Sequence, residues 1–320
     1  MTRAHPRVLD LLLLAVAAAW GGSFVSAKAL AETAGVPGAL ALRFLVAVIA
    51  MAAICVGLSV RLPRGRGLIV AVGLGGSQAA IIGLETWGVS LTSATNAGLL
   101  ISLALVMTPV PECLAARSWL PRSYFVAATV AVAGVALLVS DGGLRTPTIG
   151  DALVVAAAAV RAVHVTASGR LLRTRPEGTL AVLLVQVTVC ATVFTALAGD
   201  ELVPTVRSLD TTGWFHALFL GLLCSVFAFV VQLWAVKRTS ATRASILMGT
   251  EPAWALLWGI LVVGEAIGPG GVAGAVLIIA ASYAGQSIER GFRERGGGVP
   301  DPGSSWEGPP VTAGRASASP

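Results

Sequence analysis

The sequence predicts an all-α integral membrane protein of ten transmembrane helices, arranged as two inverted-topology repeats of five. Three observations predict it: a composition too apolar for water, ten apolar runs of spanning length, and one segment written twice with different charge. Hydrophobic residues make up 56% of the chain and charged residues 12%, with a mean hydropathy of +0.84. A soluble protein carries roughly 25% charged residues. The net charge of +6 would suit nucleic acid, but the basic residues sit in short clusters between apolar runs, as in membrane-protein loops. No nucleic-acid partner is expected.

A bilayer core needs roughly 20 mainly apolar residues per helix. Ten runs qualify: 9–30, 37–58, 68–88, 94–114, 123–140, 150–169, 179–198, 213–236, 244–264 and 270–288. The alternating strands that mark a membrane β-barrel are missing. The start, MTRAHPRVLDLLLLAVAAAW, also fits a secretory signal. Against that, its apolar run continues to Leu30, and a related segment recurs in mid-chain at Asp151. Cys55, Cys113, Cys190 and Cys224 all fall inside the runs without CxxC spacing, so neither a disulfide nor a zinc site is indicated. No metal or cofactor is expected. Residues 289–320, rich in Gly, Pro and Ser, read as a disordered cytoplasmic tail.

The repeat is visible in two places. Asp10 opens DLLLLAVAAAW and Asp151 opens DALVVAAAAVR, 141 residues apart; WGVSLTSATNA from Trp87 and WAVKRTSATRA from Trp234 lie 147 apart. The chain therefore divides into 1–148 (spans one to five) and 149–288 (spans six to ten). With the N-terminus cytoplasmic, the inner segments hold seventeen Lys and Arg residues and the outer loops only Arg145 and Arg207. That bias puts both termini inside. Five spans separate the two TSAT copies, so they face opposite sides; the outer copy is uncharged and the inner one carries Lys237, Arg238 and Arg243. Inverted repeats of this kind are an architecture of secondary transporters.

AWGGSFVSAKA near Trp20, ALRFLVAVIA around Arg43, TSATRASILMGTEPAWALLWGILVVGEAI from Thr239 and GVAGAVLIIAASYAG resemble the EamA-type permeases of the drug/metabolite transporter superfamily. The resemblance covers roughly 9–288. It implies ten helices and export or exchange of small metabolites or drugs. The chain departs from the pattern where Ala104-Leu105 stand opposite Glu251-Pro252, and where Arg161 stands opposite Trp20.

Charged residues in a span cost about 2.5–3.5 kcal/mol each on the insertion scale and face a cavity or a partner. Arg161 is the costliest. His164 and Ser168 follow it on one helical face, and Trp20, Ser23 and Ala27 hold the matching positions in span one. The two faces are expected to line a central cavity, unless Arg161 only pairs with a structural carboxylate. Arg43 either bends toward the headgroups or offers a fork to an anion. Lys28 lies near enough to the outer end to snorkel.

Glu85 and Gln232 match, each two residues before the repeated Trp. Burial penalises a carboxyl's charged form, which suits a proton carrier; the alternative is a bond locking spans three and eight. Glu251, before Pro252, either binds substrate or packs a helix, and Trp254 follows it. The small residues of span ten (Gly270, Gly274, Ala281, Gly285) and of span five (Ala127, Ala131, Gly134) read as packing stripes.

The substrate-binding candidates are thus Arg161, His164, Trp20, Ser23, Arg43, Glu251 and Trp254, and the proton-coupling candidates Glu85 and Gln232. No GxxxxGK[ST] loop is present. The reading is a plasma-membrane secondary transporter of a small metabolite or drug, working by alternating access with protons as the default coupling ion. Its partners are the small-molecule substrate and the bilayer, with a homodimer as an option. An intramembrane enzyme built on His164 and Ser168, and a non-transporting receptor or scaffold, are the alternatives.

Overall fold

A computed structural model describes residues 6–108, 110–111, 114, 119–140, 148–173, 178–232, 248, 250–264 and 268–295. Among these residues there is no strand. The first helix, α1 (Pro6–Gly57), is two helices joined at a kink: Gly35 takes φ 66°, which only glycine adopts freely, and Pro37 follows. Then come α2 (Arg66–Leu91), α3 (Ala94–Ile101), α4 (Leu103–Met107), α5 (Arg122–Ser140), α6 (Ile149–Arg173) and α7 (Thr179–Ala198). A 3₁₀ turn leads into the short α8 (Leu202–Ser208), where the sequence suggested only a loop. α9 (Thr211–Leu218) runs straight into a π-helical stretch, Phe219–Phe227. α10 (Glu251–Trp258) also ends in π-helical turns, Gly259–Val263, and α11 (Pro269–Glu294) closes the fold.

Five stretches among the described residues are long and apolar enough to cross a membrane: Leu11–Gly57, Arg66–Leu91, Ile149–Ser168, Thr179–Ser208 and Thr211–Gln232. The first is 47 residues long, which at about 1.5 Å per residue exceeds twice a roughly 30 Å hydrocarbon core, so its kink leaves two lengths of spanning size. The run 94–114 is broken at Ser102, whose hydroxyl bonds back to the Leu99 carbonyl at 2.6 Å and competes with the helix ladder. The last helix continues to Glu294, past the expected end at Ile288, so the first part of the expected tail is helical. Residues 296–320 lie outside the described residues, as do Trp234, Lys237, Arg238, Arg243 and Cys113.

Packing follows the repeat. α5 lies against α11, and the 37–57 part of α1 against α7; α2 lies against α6, as the π stretch lies against α1; α3 and α4 lie against α6, as α10 lies against α1. Elements that match across the repeat run antiparallel. Cys55 bonds the Leu180 carbonyl, Phe44 stacks on Phe194 at 5.7 Å and Gly38 meets Thr205. Likewise Tyr124 lies beside Gly285, and Gly134 beside Gly274 and Ile278. The two small-residue stripes are therefore one contact: a Cβ on Gly134 would stand 2.9 Å from the Gly274 carbonyl oxygen.

Candidate functional site

Three helices bring charge to one point. α6 carries Arg161, α2 carries Glu85 and α10 carries Glu251. Arg161 Nη2 donates to Glu85 Oε2 at 2.9 Å, and its Nη1 stands 3.7 Å from Glu251 Oε1. Glu85 is 5% exposed, in a stretch of α2 whose buried face also includes Ile81, Ile82 and Val89. The antiparallel packing of α2 on α6 explains the meeting: Gly88 faces Gly150 and Val154 at one end, Ser77 faces His164 lower down, and Glu85 and Arg161 lie between.

Arg43 adds a second guanidinium. It is 3% exposed, so it does not reach toward headgroups, and its Nε donates to Ser225 Oγ at 2.9 Å. Ser225 is fully buried and donates in turn to the Leu220 carbonyl five residues back, the spacing of the π stretch. Arg43 lies within electrostatic reach of both Glu85 and Arg161. Two arginines and two glutamates thus share one interior region, with formal charges that cancel.

The aromatic and hydroxyl candidates serve neighbouring contacts. Trp20 Nε1 donates to the Cys224 carbonyl at 3.1 Å, and its ring lies 5.8 Å from Phe229. Ser23 bonds back to the Trp20 carbonyl at 2.7 Å. The Trp254 backbone and Cβ press on Gly21, where an added Cβ would stand 2.6 Å from Trp254 Cβ. Gln232 is half-buried at the end of the described residues 178–232. Lys28 Nζ donates to the Thr92 carbonyl at the C-terminal end of α2, at 2.8 Å.

His164 shares a helix face with Arg161 but has other partners. Its Nδ1 lies 2.6 Å from Ser77 Oγ and its Nε2 3.3 Å from Ser168 Oγ. Ser77 Oγ also donates to the Leu74 carbonyl at 2.9 Å, and the direction of its bond to His164 follows the ring's tautomer. His164 and Ser77 sit in a largely apolar cavity of about 350 Å³ lined by Ile69, Leu74, Val163 and Leu171 among others. Ser77 and Ser225 were not singled out from the sequence; the signal, a lone hydroxyl in an apolar run, is weak. Among the described residues no group of three His, Cys, Asp or Glu side chains could hold a metal ion.

Among the described residues, apolar helices of spanning length with repeated packing and a buried charge cluster between them define a polytopic membrane protein. The model of the EamA-like transporter family matches the chain twice, over residues 8–140 and 148–284, and the chain belongs to that family. It is 28% identical over 263 residues to a probable terminal-alkyne amino-acid exporter of Streptantibioticus cattleyicolor, covering 82% of this chain and 87% of that protein. A shorter match, 34% over 86 residues, links 25% of the chain to 22% of the protein WALLS ARE THIN 1 of Arabidopsis thaliana. A solved crystal structure superposes with a TM-score of 0.58 at 17% identity, over 90% of this chain and 99% of its own, and shares the fold.

Proposed function

We propose that this chain exports a small amino-acid-like metabolite across the plasma membrane by alternating access, with protons as the coupling ion. The observation that carries the reading is Arg161, one guanidinium facing a carboxylate from each half of the chain. A buried charge must be paired, and a ligand that displaces the pairing must supply what it removes. A zwitterion does so at both poles. Its carboxylate takes the donors of Arg161, and its ammonium is received by Glu251 or Glu85. With Arg43 counted, the cluster is neutral before and after. The name of the Streptantibioticus relative points to the same substrate class.

In this reading ten spans form two inverted halves, 1–148 and 149–288, with both termini cytoplasmic. The antiparallel course of matched elements and the seventeen-to-two charge bias support it. The site lies between the halves, where rocking of one against the other exposes it to either side. A proton arriving on Glu85 from outside removes the carboxylate that receives the substrate's ammonium and so displaces the substrate outward. Loss of that proton to the cytoplasm restores the carboxylate for the next substrate, so protons move in as the substrate moves out.

Counterflow into sealed vesicles containing the purified protein tests this. Free amino acids are expected to exchange, while N-acetylated and amidated analogues, each lacking one pole, are not. Exchange that is indifferent to both poles would overturn the substrate class.

A further inference from the structure

The apolar cavity beside His164 stands apart from the charge cluster, and its shape has a cause in the sequence. α2 carries glycines of two kinds. At Gly75 and Gly88 an added Cβ would stand 2.8 Å from Val189 and 2.5 Å from Val154, so these two admit neighbouring helices. At Gly73 an added Cβ would meet nothing within 4 Å. A glycine inside a helix is less favourable than alanine, and at Gly73 no close helix approach offsets that. Gly73 lines the cavity instead, and its missing side chain leaves a groove of about 350 Å³ between α2 and α6. The rim faces outward on both helices, with Ile69 71% and Val163 58% exposed.

The groove has the depth of one leaflet. It begins three residues past Arg66, the first residue of α2, and a basic residue at the end of a span sits at headgroup level. Residues 69 to 77 cover about 12 Å at about 1.5 Å per residue, and half of a roughly 30 Å hydrocarbon core is about 15 Å. The polar end of the groove is already bonded: His164 has Ser77 at Nδ1 and Ser168 at Nε2, which leaves apolar wall for a ligand. At the mouth Arg61, Arg64 and Arg66 are exposed, and among the described residues none of them has a carboxylate within ion-pair distance. We propose that the groove holds one acyl chain of an anionic phospholipid of the bilayer, with Arg64 and Arg66 receiving its headgroup.

Shape and charge drive this binding. A chain in the bilayer is already out of water, so the hydrophobic effect favours neither the groove nor the surrounding lipid. The groove adds dispersion contacts from two walls, which a flat helix face does not offer. The arginines choose among headgroups, each basic residue near an anionic surface being worth roughly a fivefold preference. The site needs neither a particular cargo nor the inverted arrangement of the halves, and it goes beyond the transport reading.

The test uses the full-length protein in phosphatidylcholine vesicles with a trace of phosphatidylglycerol whose acyl chain carries a diazirine. Mass spectrometry locates the crosslinks after illumination. They are expected at 69–77 and 160–171, above the level at other exposed apolar residues such as Leu11, Val56 and Val276. Gly73→Leu fills the groove and should lower the yield there on the order of tenfold. Gly76→Leu should leave it unchanged, since Gly76 has the same open space around its Cβ but lies outside the groove. Val163→Trp narrows the groove from α6 and should act as Gly73→Leu does, a second reading should that variant fold poorly. Arg64→Gln combined with Arg66→Gln should lower the yield on the order of tenfold, to the level of a phosphatidylcholine probe with the same chain. Crosslinks spread evenly over the exposed apolar residues, or yields unmoved by both Gly73→Leu and Val163→Trp, would overturn the groove site. Equal yields from the two probes would overturn the anionic headgroup.

Discussion

Two helix crossings in this molecule are copies with different contents. Where α2 crosses α7, Gly75 lies against Val189 and Gln186; where the π stretch crosses α1, Gly221 lies against Val46 and Arg43. A Cβ on Gly75 would stand 2.8 Å from Val189 Cβ, and one on Gly221 would stand 2.7 Å from Val46 Cβ. The close approach is preserved, yet one crossing holds a glutamine and the other an arginine bonded to Ser225. The cluster repeats the lesson: Arg161 answers to Trp20, Glu85 to Gln232 and Glu251 to Ala104. Packing is written twice and charge once. The proposed alternating access draws on the first, and the proposed single binding site on the second.

The largest effect expected from breaking this asymmetry is at Arg161. Arg161→Ala leaves Glu85 without its guanidinium, a loss of about 3–5 kcal/mol for a buried pair missing one partner, and counterflow should fall to background. Arg161→Lys keeps the charge without the fork and should retain the fold but bind substrate weakly. If pairing Arg161→Ala with Glu85→Ala or Glu251→Ala restores both the melting temperature and binding, Arg161 is structural and the site lies elsewhere.

Next comes Glu85→Gln, which copies Gln232 into the first half. Gradient-driven accumulation should be lost while exchange persists, measured with and without an imposed pH difference. Unchanged pH-driven transport would demote Glu85 to a packing role. A smaller effect, on stability alone, belongs to the shared packing. Gly134→Ala forces a methyl against the α11 backbone and should cost about 1–3 kcal/mol, read from thermal melts in detergent. Of similar size on stability is Arg43→Gln, which makes the two crossings alike. Its stability should fall by about 1.5–3 kcal/mol, the range of one hydrogen bond from a charged group, while transport drops. Full transport in that variant would remove Arg43 from the site.

The sequence showed the helices well where hydropathy alone decides. The run 179–198 coincides with α7, and 123–140 falls one residue short of α5. It did not show the break at Ser102 or the π stretches, because a change of hydrogen-bond register leaves composition untouched. One trace was present all the same. The spacing between copies is 146 at Gly75 and Gly221 but 147 at Trp87 and Trp234, and the extra residue falls in or just after Phe219–Phe227, where i→i+5 bonding can absorb it. Arg161, Glu85 and Glu251 stood out because a charge in an apolar run is conspicuous. Ser225 and Ser77 did not, since a helical hydroxyl can satisfy itself on its own backbone. His164 shows the limit of reasoning from a single helix: sharing a face with Arg161 did not give it the same partners, because α2 presents Ser77 at one level and Glu85 at the other.

The central claim is that the two halves are inverted copies, and the twice-written TSAT segment tests it most directly. Ser93→Cys and Ser240→Cys are made singly in a cysteine-free protein in intact cells, and a membrane-impermeant thiol reagent is added outside. The account predicts that Ser93→Cys labels in intact cells and that Ser240→Cys labels only after permeabilisation. Labelling of both positions from the same side would place the copies on one face of the membrane and contradict the inversion.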